Sequence, residues 1–195
     1  MATMPRRAWF AIGVLLVLLA AGGAFYGWQF MSPPAPAPNA IAAGALPTGF
    51  SALTPPLQMG DLTFQDADGK TVRLSDFHGR PVVLNIWAKW CGPCVVELPT
   101  LNKLQQSAAP GTLAVVAVAV DEPDPAKVRN FLANRNLNAL QPYLDPKNAF
   151  AKALAIHSIP VSVLIDKNGY GLVRADAPAD WFSDQAIQLL KQTIL

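Results

Sequence analysis

The sequence predicts an α/β domain in which a central mixed sheet carries helices on both faces, joined to one N-terminal transmembrane helix. Two nearly continuous apolar runs, residues 82–88 and 113–120, have the composition of central strands covered on both faces. Asp124-Pro125 and Asp145-Pro146 each have the pattern of an N-cap followed by the first residue of a helix. An uncharged run over residues 8–31 is long enough for a helix to cross the ~30 Å hydrocarbon core of a membrane.

The composition argues against a disordered chain and against a nucleic-acid-binding protein. The 195 residues are 52% hydrophobic and 14% charged, which is too apolar for a disordered chain. Removing Arg6 and Arg7 from the 15 Lys and Arg residues leaves 13, equal to the 13 Asp and Glu residues. The body of the chain is therefore electrically neutral and has no basic field that would attract nucleic acid.

The N-terminal segment has the features of a membrane anchor. Arg6 and Arg7 precede the apolar run, so the positive-inside rule predicts that residues 1–7 are cytoplasmic and residues 8–31 span the membrane. Trp9 near one end and Trp28 near the other fit interfacial aromatic belts. The alternative is a cleaved signal peptide. The apolar run continues past its Ala-rich part, which favours a retained anchor.

Residues 32–60 contain no charged residue and are rich in Pro and Ala. This composition has no periodic apolar face and favours extended, polyproline-like chain, so it predicts a semi-rigid linker. The alternative for its last part is that residues 53–57 pack on the following domain as an irregular arm. We expect the folded domain to occupy residues 61–195.

Within this domain the pattern predicts strands, helices and two hairpins. The last helix is expected to be capped by Ser183, and the helix after the first central strand contains Pro99, where we expect a kink. The predicted order is an N-terminal β-hairpin (residues 62–64 and 71–74), a strand (82–88), a helix (97–106), a strand (113–120), helices opening at 124 and 145, a second hairpin (161–165 and 171–174) and a final helix.

The only two cysteines lie in Trp90-Cys91-Gly92-Pro93-Cys94, directly after the first central strand. Cysteines this close in sequence cannot staple a fold, so they serve redox chemistry or metal binding. A thiol at a helix N-terminus meets unpaired N–H groups and the positive end of the helix dipole, both of which favour the thiolate. The thiolate is the form that attacks disulfides.

Several motifs together resemble the thioredoxin superfamily. These are Asn85-Ile86-Trp87-Ala88-Lys89-Trp90-Cys91-Gly92-Pro93-Cys94, Glu97-Leu98-Pro99 and Ile159-Pro160 before a strand. From residue 62 to the C-terminus the chain looks like the membrane-anchored bacterial TlpA/ResA/CcmG type of thiol-disulfide oxidoreductase. The closing Ala177-Pro178-Ala179-Asp180-Trp181 looks most like TlpA. The resemblance implies a thioredoxin-like fold.

The resemblance also implies roles for the residues of the motif. Cys91 would be the exposed nucleophile and Cys94 the more buried resolving thiol. Glu97 would move the proton of Cys94 when a mixed disulfide resolves. The alternative for Glu97 is a solvated acid in the first helical turn that stabilises the helix dipole.

Ile159-Pro160 matches the position of a cis peptide bond in this superfamily, which would present the backbone of Ile159 to a substrate. Trp90, Gly92 and Pro93 would line the same substrate site, whereas core packing is the expected role of Trp87. One position departs from thioredoxin, which has a buried aspartate where this chain has Asn85. Acid-base work would then fall to Glu97 or to water.

The sequence leaves open the roles of Lys89 and of the two histidines. Lys89 would lower a thiol pKa by its charge, although an exposed lysine does so only weakly. His157 lies near Pro160 in sequence and is expected to be a surface or otherwise satisfied histidine, while His78 is expected to be a loop residue.

The expected function is reduction of disulfides in partner proteins. Gly92-Pro93 is the dipeptide of thioredoxin, whose potential is about −270 mV. The resemblance implies a bacterial inner-membrane protein with a periplasmic domain, a membrane thiol-reductase as electron donor, and copper-delivery factors, an oxidase subunit or apocytochrome c as substrates. We expect no cofactor beyond a Cys91–Cys94 disulfide, no metal and a monomer. The alternatives are a general disulfide oxidase or isomerase, and a Cu(I)-binding module using Cys91 and Cys94, with His157 as a further ligand.

Overall fold

A computed structural model describes residues 46–120 and 122–195. In this part of the chain, eight strands form one mixed sheet, accompanied by four α-helices and a 3-10 helix. The predicted cytoplasmic segment, the predicted transmembrane helix and residues 32–45 of the predicted linker lie outside the described residues. Across residues 46–120 and 122–195, none of the helices combines the length and apolar character needed to span a bilayer.

The elements follow the predicted alternation of strands and helices. The strands are β1 (Phe50–Gln58), β2 (Thr63–Gln65), β3 (Thr71–Arg73), β4 (Val82–Trp87), β5 (Ala114–Ala119), β6 (Tyr143–Leu144), β7 (Val161–Ile165) and β8 (Tyr170–Ala175). The helices are the 3-10 helix (Leu74–Phe77), α1 (Gly92–Ser107), α2 (Pro125–Ala133), α3 (Ala149–Ala153) and α4 (Asp184–Thr193).

The sheet has the order β1-β8-β7-β4-β5-β6-β2-β3, which puts β4 in its middle. Strand β4 pairs in parallel with β5 and antiparallel with β7. All six residues of β4 and all six of β5 are buried, as the two apolar runs predict. The end of β4, from which the cysteine motif continues, therefore lies at the centre of the sheet.

Helices cover both faces of the sheet, which confirms that part of the prediction. Successive side chains of a strand point to opposite faces, and those of β4 divide accordingly. Val83 and Trp87 pack in one apolar cluster with residues of α1, α2 and α4. Leu84 and Ile86 pack in the other cluster with the 3-10 helix and Phe150 of α3.

Both predicted hairpins are present. Strands β2 and β3 pair antiparallel around a turn that ends at Gly69, whose φ is 75°. Strands β7 and β8 pair antiparallel around a similar turn that ends at Gly169, whose φ is 87°. In each turn an aspartate side chain, Asp66 or Asp166, accepts hydrogen bonds from backbone N–H groups two and four residues later. Ser183 caps α4, as predicted.

The start of the domain differs from the prediction. Residues 50–58, which we assigned to the linker with packing of residues 53–57 as an irregular arm as the alternative, form a regular strand, β1, that pairs antiparallel with β8 at the edge of the sheet. Pro55 and Pro56 interrupt the pairing between Ala52 and Leu57. Proline cannot donate a ladder hydrogen bond and is tolerated at an edge, so a proline-rich composition did not prevent this strand.

The predicted helix opening at Asp145 is also wrong. Helix α3 begins at Ala149, and its N-cap is Asn148 in a left-handed conformation with a φ of 52°. Asp145 is instead buried, and its Oδ2 accepts a hydrogen bond from the backbone N of Phe150 at 2.9 Å. The carboxylate thus still satisfies a helix N–H, but from outside the helix. Helix α1 starts five residues before the predicted 97–106 segment and runs through Pro99.

Candidate active site

The two cysteines lie at the connection from β4 to the start of α1, at the centre of the sheet. Cys91 is the N-cap of α1, Cys94 lies in the first turn, and the two form a disulfide with an S–S distance of 2.05 Å. The backbone N of Cys94 donates to Sγ of Cys91 at 3.2 Å. Once the disulfide is reduced, this N–H group and the helix dipole both favour a negative charge on the Cys91 sulfur.

The burial of the cysteines follows the expected order but not the expected degree. Cys91 is 5% exposed and Cys94 is fully buried. We expected an exposed Cys91. In the disulfide form only a small part of this residue reaches solvent, because the residues around it cover the rest.

The rim around Cys91 consists of residues that the sequence placed there. Trp90 is 73% exposed, and Gly92 and Pro93 are exposed as well. The carbonyl oxygen of Ile159 lies 3.6 Å from Sγ of Cys91, and the Ile159–Pro160 peptide bond is cis, as the resemblance implied. Ile159 is partly buried and offers its backbone carbonyl at this rim, whereas Pro160 is buried.

Glu97 lies on α1 and is buried, with only 2% of its surface exposed, which rules out the solvated first-turn acid. Its Oε1 accepts from Nδ2 of Asn85 at 2.6 Å, and its Oε2 accepts from the backbone N of Ala179 at 3.0 Å. Burial raises the pKa of Glu97 above its usual value, because the charged form loses its hydration, while the bonds from Ala179 and Asn85 and the indole of Trp181 oppose this rise.

Sequence reasoning missed three contributors to this buried site. Ser162 accepts a hydrogen bond from Nδ2 of Asn85 at 2.9 Å. The backbone of Ala179 holds Glu97, and the backbone N of Trp181 donates to Oγ1 of Thr100 at 3.1 Å. A signal for Ser162 was available, since it is a polar residue within the otherwise apolar, fully buried strand β7 and a buried hydroxyl needs a partner.

Lys89 is paired with an acidic side chain. Its Nζ lies 2.5 Å from Oε2 of Glu122, whose Oε1 lies 3.4 Å from Nζ of Lys127. The hydrogen bond from Lys89 is the main reason why the pKa of Glu122 is below its usual value. Since Glu122 neutralises part of the charge of Lys89, the effect of this lysine on Cys91 is weaker than its sequence position suggests.

The structure also shows the surroundings of the remaining candidates, Trp87, His157 and His78. Trp87 is fully buried and packs against the ring of Phe131, with 5.4 Å between ring centroids, in line with the expected core role. His157 is exposed. His78 lies beside the β7–β8 turn, where a Cβ added to Gly169 would come within 2.6 Å of its Nε2. Within residues 46–120 and 122–195, no three His, Cys, Asp or Glu side chains group closely enough to hold a metal ion.

Comparison with known proteins places this geometry among redox proteins. Residues 51–176 match the Redoxin family. The thiol-disulfide oxidoreductase ResA of Bacillus thuringiensis subsp. konkukian is 36% identical over 104 residues, which is 53% of this chain and 59% of the relative. ResA of Geobacillus thermodenitrificans is 31% identical over 156 residues, 80% of this chain and 79% of the relative. The match thus spans less than two thirds of some relatives and about four fifths of others.

A solved structure supports the same comparison. The pneumococcal exposed lipoprotein thioredoxin Etrx1 from Streptococcus pneumoniae is 28% identical, and the match covers 68% of this chain and 99% of that protein with a TM-score of 0.56. The thioredoxin-like fold that the sequence motifs implied is therefore confirmed.

Proposed function

Because this chain belongs to the Redoxin family, and its relatives are named thiol-disulfide oxidoreductases, we propose that it reduces disulfides of partner proteins through Cys91 and Cys94. The observation that carries the proposal is the cysteine pair itself. It caps α1 at the centre of the sheet, with Sγ of Cys91 accepting a hydrogen bond from the backbone N of Cys94.

The reaction begins with the reduced dithiol. The Cys91 thiolate attacks one sulfur of the partner disulfide, so a Cys91–partner S–S bond forms and the partner S–S bond breaks. The other partner sulfur leaves as a thiolate and takes a proton from water. The hydrogen bond from the backbone N of Cys94 and the dipole of α1 favour the attacking thiolate at neutral pH.

The second step resolves the mixed disulfide. Cys94 loses its proton and attacks Sγ of Cys91, which forms the Cys91–Cys94 disulfide and releases the second partner sulfur as a thiolate that is then protonated. Glu97, three residues along α1, is the buried carboxylate that takes the Cys94 proton. Over both steps the partner disulfide gains two electrons and two protons, and the Cys91–Cys94 pair is oxidised.

The direction of the reaction is inferred from Gly92-Pro93. Thioredoxin has this dipeptide and a potential of about −270 mV, far below that of strong oxidants such as DsbA at about −120 mV. A reductant in an oxidising compartment must be reduced again after each cycle. We therefore propose a thiol-reductase of the membrane as the electron donor.

The place of action follows from the predicted anchor. Residues 8–31 would hold the domain on the periplasmic side of a bacterial inner membrane, and the similarity to a lipoprotein described as exposed supports a site outside the cytoplasm. The exposed indole of Trp90, next to Gly92 and Pro93, gives a partner protein an apolar rim to contact. We propose copper-delivery factors, an oxidase subunit or apocytochrome c as substrates, and a monomeric protein.

Trapping of the mixed disulfide tests the proposal. Cys94→Ser removes the resolving thiol, so Cys91 should stay bonded to the partner, and the complex should be recovered from membranes on a non-reducing gel. Cys91→Ser is the matched control and should trap little or nothing. Equal trapping by the two variants would contradict the roles given to Cys91 and Cys94.

The potential tests the direction separately. Equilibration of the purified domain with glutathione buffers should give a value nearer to thioredoxin than to DsbA, and a value above about −150 mV would identify an oxidant instead. Tight stoichiometric Cu(I) binding without reduction of a model disulfide would favour the copper-binding alternative.

A further inference from the structure

A small polar cluster that includes a residue of the cysteine-bearing helix α1 lies in an otherwise apolar interior. Asn85 of β4, Glu97 of α1 and Ser162 of β7 are 0%, 2% and 2% exposed. Their closest links join three different elements through one atom, Nδ2 of Asn85, which donates to both Oε1 of Glu97 and Oγ of Ser162. Burying polar groups is costly unless they are hydrogen-bonded to one another. The presence of three such groups in an apolar core therefore calls for an explanation.

The groups that hold the Glu97 carboxyl are all donors. Asn85 supplies an amide N–H to Oε1, and Ala179 supplies a backbone N–H to Oε2. Neither group is able to accept a proton from a protonated carboxyl. Hydrogen bonds of this kind stabilise the ionised form of a carboxyl group relative to the neutral form. They therefore act against the burial of Glu97, which favours the neutral acid.

The Glu97 carboxylate fixes which end of the Asn85 amide faces it, because a carboxylate only accepts hydrogen bonds, and Ser162 accepts the second N–H of that amide. Both hydrogens of the amide nitrogen are used, one on Glu97 and one on Ser162, while Oδ1 has no partner among the described residues. The reversed amide would bring Oδ1 within about the same short distance of Oε1, so that two acceptors would face each other. The amide is therefore held with its nitrogen toward the carboxylate.

We propose that Asn85, held in place by Ser162, is a positioning residue for the exchange reaction: it aims Glu97 as the proton acceptor for Cys94 and favours the ionised carboxyl against the effect of burial. The inference rests on the proposed function and adds two residues to it. Because Asn85 cannot itself take a proton, the buried site has one titrating carboxyl. Burial raises its proton affinity, and Ala179, Asn85 and the indole of Trp181 lower it, while Ser162 acts only through Asn85.

The titration of Glu97 in the oxidised protein tests this without reference to activity. Carbon-13 NMR of glutamate-labelled protein follows the side-chain carboxyl, and Glu97→Gln identifies its signal. A hydrogen bond to a charged group contributes about 1.5–3 kcal/mol, so Asn85→Leu should raise the proton affinity of Glu97 about tenfold or more. Ser162→Ala should raise it in the same direction by less, because the amide keeps its contact but loses its anchor.

Asn102→Leu is the matched control. Asn102 is also a buried asparagine, 5% exposed, on the same helix as Glu97, but its Oδ1 accepts from the backbone N of Ala139 at 2.9 Å. Its replacement should lower stability without moving the Glu97 titration. Should Asn85→Leu fail to fold, Asn85→Asp preserves the size of the side chain. It should turn one titration into two coupled ones, because two carboxyls would then share the site.

The kinetic readout is the pH profile of mixed-disulfide resolution with a small model disulfide. Its midpoint should move to higher pH in Asn85→Leu and stay in place in Asn102→Leu. An unchanged Glu97 titration in both Asn85 variants, or a shifted titration with an unmoved profile, would refute the positioning role alone. A wild-type protein that exchanges no disulfide at all would refute the proposed function and with it this role.

Discussion

Replacement of Trp181 tests how firmly the segment that holds Glu97 is fixed. Trp181 is fully buried and packs edge-to-face on Phe50 of β1, with 5.6 Å between ring centroids. Its backbone N donates to Oγ1 of Thr100 on α1. Two residues earlier, Ala179 donates to the Glu97 carboxyl. The indole thus anchors the segment whose backbone reaches the candidate active site.

Truncation of a fully buried tryptophan to alanine removes its apolar contacts and leaves a cavity, at a cost of about 3–5 kcal/mol. For a domain of this size each kcal/mol lowers the Tm by about 2–4 °C, so Trp181→Ala should lower it by about 6–20 °C. The neighbouring Phe182 is 45% exposed. Phe182→Ala should therefore change the free energy of unfolding by no more than about 0.5 kcal/mol.

Guanidinium chloride unfolding of the oxidised domain measures both variants. The reasoning requires a lower midpoint for Trp181→Ala at an unchanged slope, with Phe182→Ala close to the wild type. It also requires that the Glu97 titration move to higher pH in Trp181→Ala, because the indole that opposes the raised pKa of Glu97 is lost and the donor N–H of Ala179 is no longer held in place. Equal stability of the two variants, or a large loss in Phe182→Ala, would show that Trp181 does not anchor this segment.

Two further predictions concern charge and backbone conformation. Folding raises the pKa of Glu97, so the free energy of unfolding should fall as pH rises from the unfolded pKa through the folded one. Unfolding experiments at a series of pH values should show a smaller fall for Glu97→Gln. Folding lowers the pKa of Glu122, so the stabilisation by its carboxylate is present above the unfolded pKa and is lost as pH falls through the folded one. Glu122→Gln should therefore lower the free energy of unfolding at neutral pH and leave it unchanged in acid. Gly169→Ala and Gly69→Ala should each cost about 1–2 kcal/mol, because both positions have a positive φ, and thermal melts should show the larger loss for Gly169, where the new Cβ would also meet His78.

The elements around the cysteines were predictable because their signals are local. The apolar runs of β4 and β5 carry the composition of strands buried on both faces, and each strand is buried at all six positions. The Asp-x-x-Gly turns carry their own conformational requirement, since Gly69 and Gly169 both have a positive φ. Such features depend on neighbouring residues only, so the sequence is sufficient to place them.

The first strand was not predictable by the same means. Residues 50–58 contain two adjacent prolines and no charged residue, and the same composition describes an extended linker. What makes them a strand is the free edge of β8, more than a hundred residues later in the chain. Likewise, Asp145 stands before a proline as an N-cap would, but Asn148 takes that position in a left-handed conformation. Pairing with a distant strand makes residues 50–58 a strand, and the left-handed backbone conformation of Asn148 sets the start of α3.

Some residues of the candidate active site were predictable from the sequence and others were not. The rim residues Trp90, Gly92 and Pro93 belong to one motif, and the resemblance was sufficient to name them. The groups that hold Glu97 come from far along the chain, since Ala179 is 82 residues away and Ser162 is 77 residues from Asn85. Nothing in a local pattern pairs residues at such separations, and only the fold brings them together.

The contacts of Glu97 connect it to several elements of the domain. Glu97 on α1 is held by β4 through Asn85 and by the segment before α4 through Ala179, and that segment is fixed in turn by Trp181 against Phe50 of the edge strand. A buried carboxylate keeps its charge only while its donors stay in place. The edge strand that composition assigned to the linker therefore packs on the same segment whose backbone holds Glu97.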